Sequence, residues 1–357
     1  MLKLLLILIT VIPILSVAEI HIPERIPPLA AIAQGEPMID ADIDEKGYHV
    51  AKIHDDGVYW ITDNNYHSLA IVRPQGIIVV DAPEPMPFFP PTPVLTALEE
   101  VAPGVPVTHL IYTHAHTDHI GGAGAIKEKY PRVKILAHQD TKKILKRAKD
   151  PKRPEPNRKF KRDVSVRIHG VNIELSTFRD AHMKGNVFVL LPDQKVLMAV
   201  DLVYPGYVPF RRMGVAENFV DWYEGTKYLL TKDFDIFVAG HGLRLGTRED
   251  IELQIEYVDD IRNVVDSMVM DINKLNETVD LIDEQHGPYS SFTHQAKWTL
   301  FGGYLDVIAQ ACREELDKKY IEGENSGDNS KALAGAETFN FANCESYFVA
   351  RRLGVDK

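Results

Sequence analysis

The stretch THAHTDHIGG, residues 113–122, limits what this chain can fold into more than any other. It places His114, His116, Asp118 and His119 within one short segment, directly after the apolar run HLIYT and directly before two glycines. An apolar β-like run that breaks into crowded polar residues reads as a buried strand whose end opens into a working loop. Neutral imidazole and ionised carboxylate both offer lone pairs, and burying them without a partner costs free energy. A bound metal ion supplies that partner. In an extended loop, residues two apart face the same way. On that geometry His114 and His116 are expected to hold one ion while Asp118 and His119 reach a neighbouring one.

Two ions need more ligands than one loop provides, and three further candidates stand where other β-like runs stop. His182 lies in DAHMKGN, between IELSTF and VFVLL; Asp201 ends VLMAV; His241 follows IFVAG. Taken singly, each would more often be structural. After the HxHxDH run, their shared position at strand ends marks them as metal ligands.

The surrounding pattern supplies those strands. VYWIT (58–62), SLAIVR (68–73) and GIIVVDA (76–82) are rich in Val and Ile and separated by Asn, Pro and Gly. PEPMPFFPPTP (83–93) cannot join a ladder, because proline has no backbone donor, so it is expected to be a surface loop before a helix at 94–100. Gly121 and Gly122 are expected to start a helix to about Tyr130, followed by the strand VKILA and a helix at 140–148. From Asp163 the alternation returns in VSVRIHG, VNIELSTF, VFVLL and KVLMAV, with turns at Gly170 and Pro192-Asp193. A helix at 219–230 and DIFVAG (235–240) complete a second, similar half. Two such halves predict an α+β sandwich, with two sheets face to face and helices outside. Beyond Gly246 the apolar spacing is helical: Ile251, Ile255, Val258, Ile261, Val265, Met268 and Ile272, with Thr247 placed to cap the start. A second helix is expected over 293–319, followed by the polar linker EGENSGDNSK. The expected organisation is therefore a signal peptide (1–18), an extended lead-in (19–47), a catalytic domain (48–250) and a helical C-terminal extension (251–357).

Composition narrows the partners. A formal charge of −11 argues against general affinity for nucleic acid, which needs clustered Lys and Arg. The basic run KDPKRPEPNRKFKR (149–162) is read as a solvated loop, because Phe160 is its one ring for base stacking. MLKLLLILITVIPILSVAEI has Lys3, an apolar stretch from Leu4 to Leu15 and the small-x-small site Ser16-Val17-Ala18, the pattern of a secretory signal peptide. That stretch is shorter than the roughly 20 residues of a spanning helix, so no stable membrane anchor is expected after cleavage. A secreted or periplasmic location follows. Cys312 and Cys344 are the two cysteines, and the sequence leaves open whether they pair or stay as buried thiols. Asn276-Glu277-Thr278 is a glycosylation sequon.

With the ligand pattern in place, residues 53–250 resemble the metallo-β-lactamase-fold hydrolases. The resemblance implies an αββα sandwich with the site at one edge of the sheets. It implies that His114, His116 and His182 hold one zinc, that Asp118, His119 and His241 hold a second, and that Asp201 bridges them. The carboxylate in AVD is similar to that of the glyoxalase II and lactonase branches, and β-lactamases of this fold usually lack it. His116 stands where the oxygen-reducing diiron branch has glutamate, which favours zinc over iron.

The function implied is hydrolysis of a small lactone, ester, thioester or amide by a hydroxide shared between two zinc ions. Asp118 is expected to shuttle the proton to the leaving atom. Tyr66, Tyr207 and Arg211 are the candidate substrate-binding residues, with Phe88-Phe89 as a further wall and the arginine as a hand for a substrate carboxylate or carbonyl. His67 and His138 are read as structural. The alternatives are an iron-dependent, persulfide-dioxygenase-like oxidoreductase and a β-lactamase-like amide hydrolase.

Overall fold

A computed structural model describes residues 46–84, 93–271, 296–321 and 332–354, together with positions 43, 273, 276, 279–280 and 283–284. The expected signal peptide, most of the lead-in, Phe88-Phe89, Glu277 and Thr278 of the sequon, and the EGENSGDNSK linker lie outside the described residues.

The first sheet contains β1 (His49–His54), β2 (Val58–Thr62), β3 (His67–Arg73), β4 (Gly76–Val80), β5 (Val107–Ile111), β6 (Lys134–His138) and β7 (Arg158–Phe160), in that spatial order. Strands β1 to β4 pair antiparallel through short turns. From β4 to β7 the pairing is parallel, which requires crossovers. Helix α1 (Pro93–Val101), the turn α2 (Thr117–Ile120) with α3 (Ala123–Lys129), and α4 (Gln139–Ala148) supply them. The second sheet runs β12-β11-β10-β9-β8, built from β8 (Val164–Ile168), β9 (Val171–Ser176), β10 (Phe188–Leu191), β11 (Val196–Met198) and β12 (Ile236–Val238). Its meander is antiparallel until β11 meets β12 in parallel, across α5 (Phe219–Leu229).

The layering follows from the two-residue strand period. On β4, Ile78 and Val80 face the second sheet, while Ile77 and Val79 pack with Val94, Leu98 and Ile126 of the outer helices. On β10, Val189 and Leu191 join the same inter-sheet core, and Phe188 and Leu190 pack outward against Trp222, Leu229 and Ile251. Both sheets are therefore apolar on both faces, and the result is the expected αββα sandwich. Helix α6 (Arg248–Met270) begins with a capping box on Thr247 and Asp250. It packs with α7 (Ala296–Tyr320) and α8 (Ala336–Arg352) on the outside of the second sheet.

Three features depart from the sequence reading. Strands β1 and β7 were not expected, and the 149–162 run is more than a solvated loop, because it ends in the edge strand β7. The helix after the motif starts at Thr117, inside it, not at the glycines. Gly121 and Gly122 sit at the break between α2 and α3, where a Cβ on Gly122 would lie 2.5 Å from the Pro83 carbonyl. Gly122 serves close packing of the turn against the Ala82-Pro83 backbone, and Gly121 packs against Thr117 O and the Glu84 side chain.

Candidate metal centre

All the candidate ligands lie beyond strand ends at one edge of the sandwich: the 113–122 stretch after β5, His182 between β9 and β10, Asp201 after β11 and His241 after β12. They gather into two groups. His114, His116, His182 and Asp201 offer ligand atoms all within 4.8 Å of one another, as do Asp118, His119 and His241. The structure brings the expected ligands together, with Asp201 grouped with His114, His116 and His182, but by a different local geometry. His116 caps a helical turn, so Asp118 and His119 project from α2, not from an extended loop.

Asp201 is the hinge between the groups. Its Oδ2 lies 3.1 Å from His182 Nε2, 3.1 Å from His119 Nε2 and 3.3 Å from His114 Nε2, and its Oδ1 lies 2.9 Å from His241 Nε2. Burial alone would raise its pKa, but the surrounding histidines hold the carboxyl well below the usual carboxylate range. Burial likewise opposes the protonated form of His119, yet Asp201, Asp118 and Asp81 outweigh it and push that imidazole up to about 9. Burial drives His114 well below its ordinary value and lowers His116. The cluster thus attracts positive charge while keeping the His114 and His116 imidazoles neutral, the state in which they can ligate.

Unsatisfied atoms test the fit of a metal directly. His114 Nε2, both ring nitrogens of His119, His182 Nδ1 and Asp201 Oδ1 are buried without a hydrogen-bond partner. Native interiors leave few such atoms, and three of these, His114 Nε2, His119 Nε2 and Asp201 Oδ1, belong to side chains that face one another across the cluster, which fits coordination to cations.

The backbone is strained where it presents the ligands. His182 (φ 65°) and Asp201 (φ 63°) are left-handed, a conformation L-residues rarely adopt. Each is tied in place: Glu217 N donates to His182 O at 2.7 Å, and Trp222 Nε1 donates to Asp201 O at 2.8 Å. Asp81, also left-handed (φ 57°), is fully buried and accepts from Thr113 N (2.8 Å) and Thr113 Oγ1 (2.5 Å). Thr113 Oγ1 in turn meets His114 Nδ1 at 3.1 Å, orienting that ring. Burial raises the Asp81 carboxyl to about 7. From the basic run, Arg153 Nη1 donates to Ala115 O at 2.6 Å, bracing the backbone between His114 and His116.

Sequence reasoning missed Asp81 and Arg153. The one available signal was the aspartate ending GIIVVDA, at the same kind of strand end as Asp201. His67 is buried and holds Gly242 O at 2.9 Å through Nε2, which steadies the His241 loop. His138 caps α4.

A cavity of about 510 Å³ opens over the cluster. Tyr66 and Tyr207 line it, with Asp118, His116, His182, Asp201 and His241 at its floor. Tyr66 is fixed by a turn in which Asp63 accepts from the backbone of residues 65 and 66. Arg211 departs from expectation: it is exposed and is not part of the lining. Its segment folds into a left-handed turn at Arg212, Met213, Gly214 and Val215, and Arg212 pairs with Glu345 at 3.3 Å. The walls come instead from Tyr204, Val208, Phe210 and, from α8, Phe339.

Comparison with known proteins agrees with this architecture. The family model described as the metallo-beta-lactamase superfamily matches residues 71–256. The chain is 32% identical over 203 residues to the 2,4-dinitroanisole O-demethylase subunit alpha of Nocardioides sp. (strain JS1661), covering 55% of this chain and 59% of that protein. It is 35% identical over 84 residues to the hydroxyacylglutathione hydrolase of Xylella fastidiosa (strain 9a5c), covering 23% of this chain and 29% of the relative. Among solved structures, a metallo-beta-lactamase from Pontibacter korlensis superposes with a TM-score of 0.50 at 21% identity, covering 58% of this chain and 97% of that one. The chain thus spans about three-fifths of the first relative's length and under a third of the second's. With the matched stretch covering every candidate ligand and more than half of the chain, the protein belongs to the metallo-beta-lactamase superfamily, whose members are metal-dependent hydrolases.

Proposed function

We propose that the protein is an exported zinc hydrolase that holds two ions and cleaves a small ester, lactone, thioester or amide. The observation that carries this reading is the placement of Asp201, whose carboxylate reaches both ligand groups: Oδ2 lies near His114 and His182 of one and His119 of the other, and Oδ1 near His241. His114, His116 and His182 would hold one ion, Asp118, His119 and His241 the other, and Asp201 both. An all-nitrogen and oxygen donor set of this kind suits zinc. Bound zinc would supply Lewis acidity, lowering the pKa of water and polarising a substrate carbonyl.

The chain's own residues supply the rest. Asp118 lines the cavity with its side chain 40% exposed, so it can take a proton from the attacking water and pass it to the leaving atom. Burial, reinforced by Asp201 and Asp118, keeps the Tyr204 hydroxyl protonated and available as a donor. Tyr66 is raised in the same sense, by burial first and then by Asp118. Tyr66 and Tyr204 stand against the His241 ring at 5.1 and 5.8 Å, restricting where a substrate can approach.

Export is supported by the apolar, small-residue start of the chain and by the Cys312–Cys344 disulfide, a bond typical of oxidising compartments. Among the described residues no helix is long and apolar enough to cross a membrane.

Metal analysis of the protein together with a panel of lactones, aryl esters, thioesters and β-lactams tests the reading. Two zinc ions per chain and turnover of at least one ester or lactone are expected. Asp201→Ala should deplete both ions, whereas His241→Ala should deplete mainly one. One iron per chain with no turnover across the panel would overturn the proposal in favour of redox chemistry.

A further inference from the structure

The cavity divides into two chemically different ends. Its floor is the ligand cluster. Its walls are mainly aromatic and aliphatic, from Tyr66, Tyr204, Tyr207, Val208, Phe210 and Phe339, with Asn64 and Asn65 as neutral polar neighbours. Among the described residues, none of the lining is Lys or Arg. The arginines close by are committed elsewhere or stand outside. Arg244, whose guanidinium abuts Gly206, forks onto Asp250 at 2.6 and 2.7 Å. Arg212 pairs with Glu345, and Arg211 is exposed beyond the lining.

We propose that this cavity accepts an uncharged, ring-bearing group and rejects substrates whose end far from the scissile bond carries a carboxylate. The inference rests on the hydrolase reading for the reaction and deepens it by naming the substrate class. A carboxylate at the distal wall would leave water without gaining a cation, and an unpaired buried charge is strongly disfavoured. An aromatic group there meets ring faces and edges, which attract it beyond simple area burial. The wall is built for such contact: Phe339 meets Phe210 edge-on, with centroids 5.1 Å apart.

Phe339 is the specificity-determining residue in this arrangement. It lies on α8, outside the 71–256 stretch matched by the family model, so the distal wall belongs to the C-terminal helices. Those helices are clipped to the cavity: Ala334 N donates to Gly206 O, and Val208 N donates to Ala334 O, both at 3.0 Å.

Two ester substrates of similar length test the charge rule in the zinc-loaded protein: 4-nitrophenyl hexanoate and mono-4-nitrophenyl adipate, which ends in a carboxylate. The neutral ester should be favoured in kcat/KM by on the order of 100-fold, the scale expected for burying an unpaired charge that solvent partly screens. Calorimetric titration with 2-acetonaphthone and 6-acetyl-2-naphthoate, which are not esters, reads selection without turnover. The neutral ketone should bind at least about tenfold tighter, by the same desolvation cost. Phe339→Arg should narrow both ratios by placing a cation in the wall. Equal kcat/KM for the two esters, or equal binding of the two ketones, overturns the proposal even if Phe339→Arg fails to fold. Preferential binding of 2-acetonaphthone with no turnover of either ester would keep the pocket assignment and sink the hydrolase reading instead.

Discussion

Arg153 lies in a run whose charge suggests nothing but solvent, yet it donates to Ala115 O, in the middle of the metal loop. Its Nε also bonds Asp150 at 2.7 Å, and its side chain is 18% exposed, so the guanidinium is fixed at both ends. Removing it would free the backbone between His114 and His116 while leaving every ligand in place. Arg153→Ala is therefore expected to weaken metal affinity by about 10-fold or more, the usual scale for losing an outer-shell partner, without unfolding the protein. Competition with a zinc chelator measures this; wild-type affinity in the variant would show that the contact is incidental. The contrast with the ligands explains what can be read from a sequence at this scale. His114, His116, Asp118 and His119 reveal themselves by spacing, because neighbouring residues must serve one site. Arg153 and Asp81 act through backbone and hydroxyl contacts that are 38 and 32 positions away in the chain. For Arg153 no local pattern records such a contact, and for Asp81 the strand-end position marks the residue but not its partner.

At the scale of elements, the segment that follows Asp201 carries a strained turn that its own residues do not favour. Arg212, Met213 and Val215 all hold positive φ, and Gly214 between them packs so closely that a Cβ would lie 2.2 Å from the Tyr204 hydroxyl. The turn persists because α8 grips it. Asn343 accepts from Met213 N at 2.9 Å and donates to Pro209 O at 2.9 Å and to Tyr257 OH at 3.2 Å. All three contacts are buried, so Asn343→Ala strands polar groups and should cost about 1–3 kcal/mol of stability. It should also raise KM more than it lowers kcat, with metal content unchanged, because the turn borders the cavity but not the ligands. Denaturant midpoint, KM and zinc content together check it; loss of zinc in a folded variant would place the effect elsewhere. Strands such as β4 and β10 were legible because burial on both faces makes them short, continuous apolar runs bounded by turn residues. Strand β7 was not, because three residues at a sheet edge, two of them basic, carry no period. The left-handed turn was equally hidden, since its conformation is imposed by a helix about 130 positions later; this is why Arg211 was expected in a cavity that it does not line.

Across the whole molecule, the family-matched sandwich and the C-terminal helices divide the work. The sandwich carries all seven candidate ligands between residues 114 and 241, while α7 and α8 lie outside the matched stretch, and α8 supplies Phe339 to the cavity and Asn343 to the turn that borders it. The Cys312–Cys344 disulfide joins those two helices, with Cα atoms 6.1 Å apart and both cysteines buried in the core beneath them. Sequence left this pairing open, because two cysteines fit a bridge or two buried thiols equally well. The bond closes a loop with a sequence separation of 32, and the chain-entropy relation assigns such a loop about 4 kcal/mol. Reduction, or the Cys312→Ala/Cys344→Ala double variant, should therefore lower unfolding stability by an amount of that order. The helices should loosen before the sandwich, so a mild reductant is expected to raise KM for ring-bearing esters while zinc stays bound. Comparing oxidised and reduced protein by denaturant titration, KM and zinc content separates the two parts. If reduction releases zinc in step with the rise in KM, the helices and the metal centre form one cooperative unit and the division of labour is wrong.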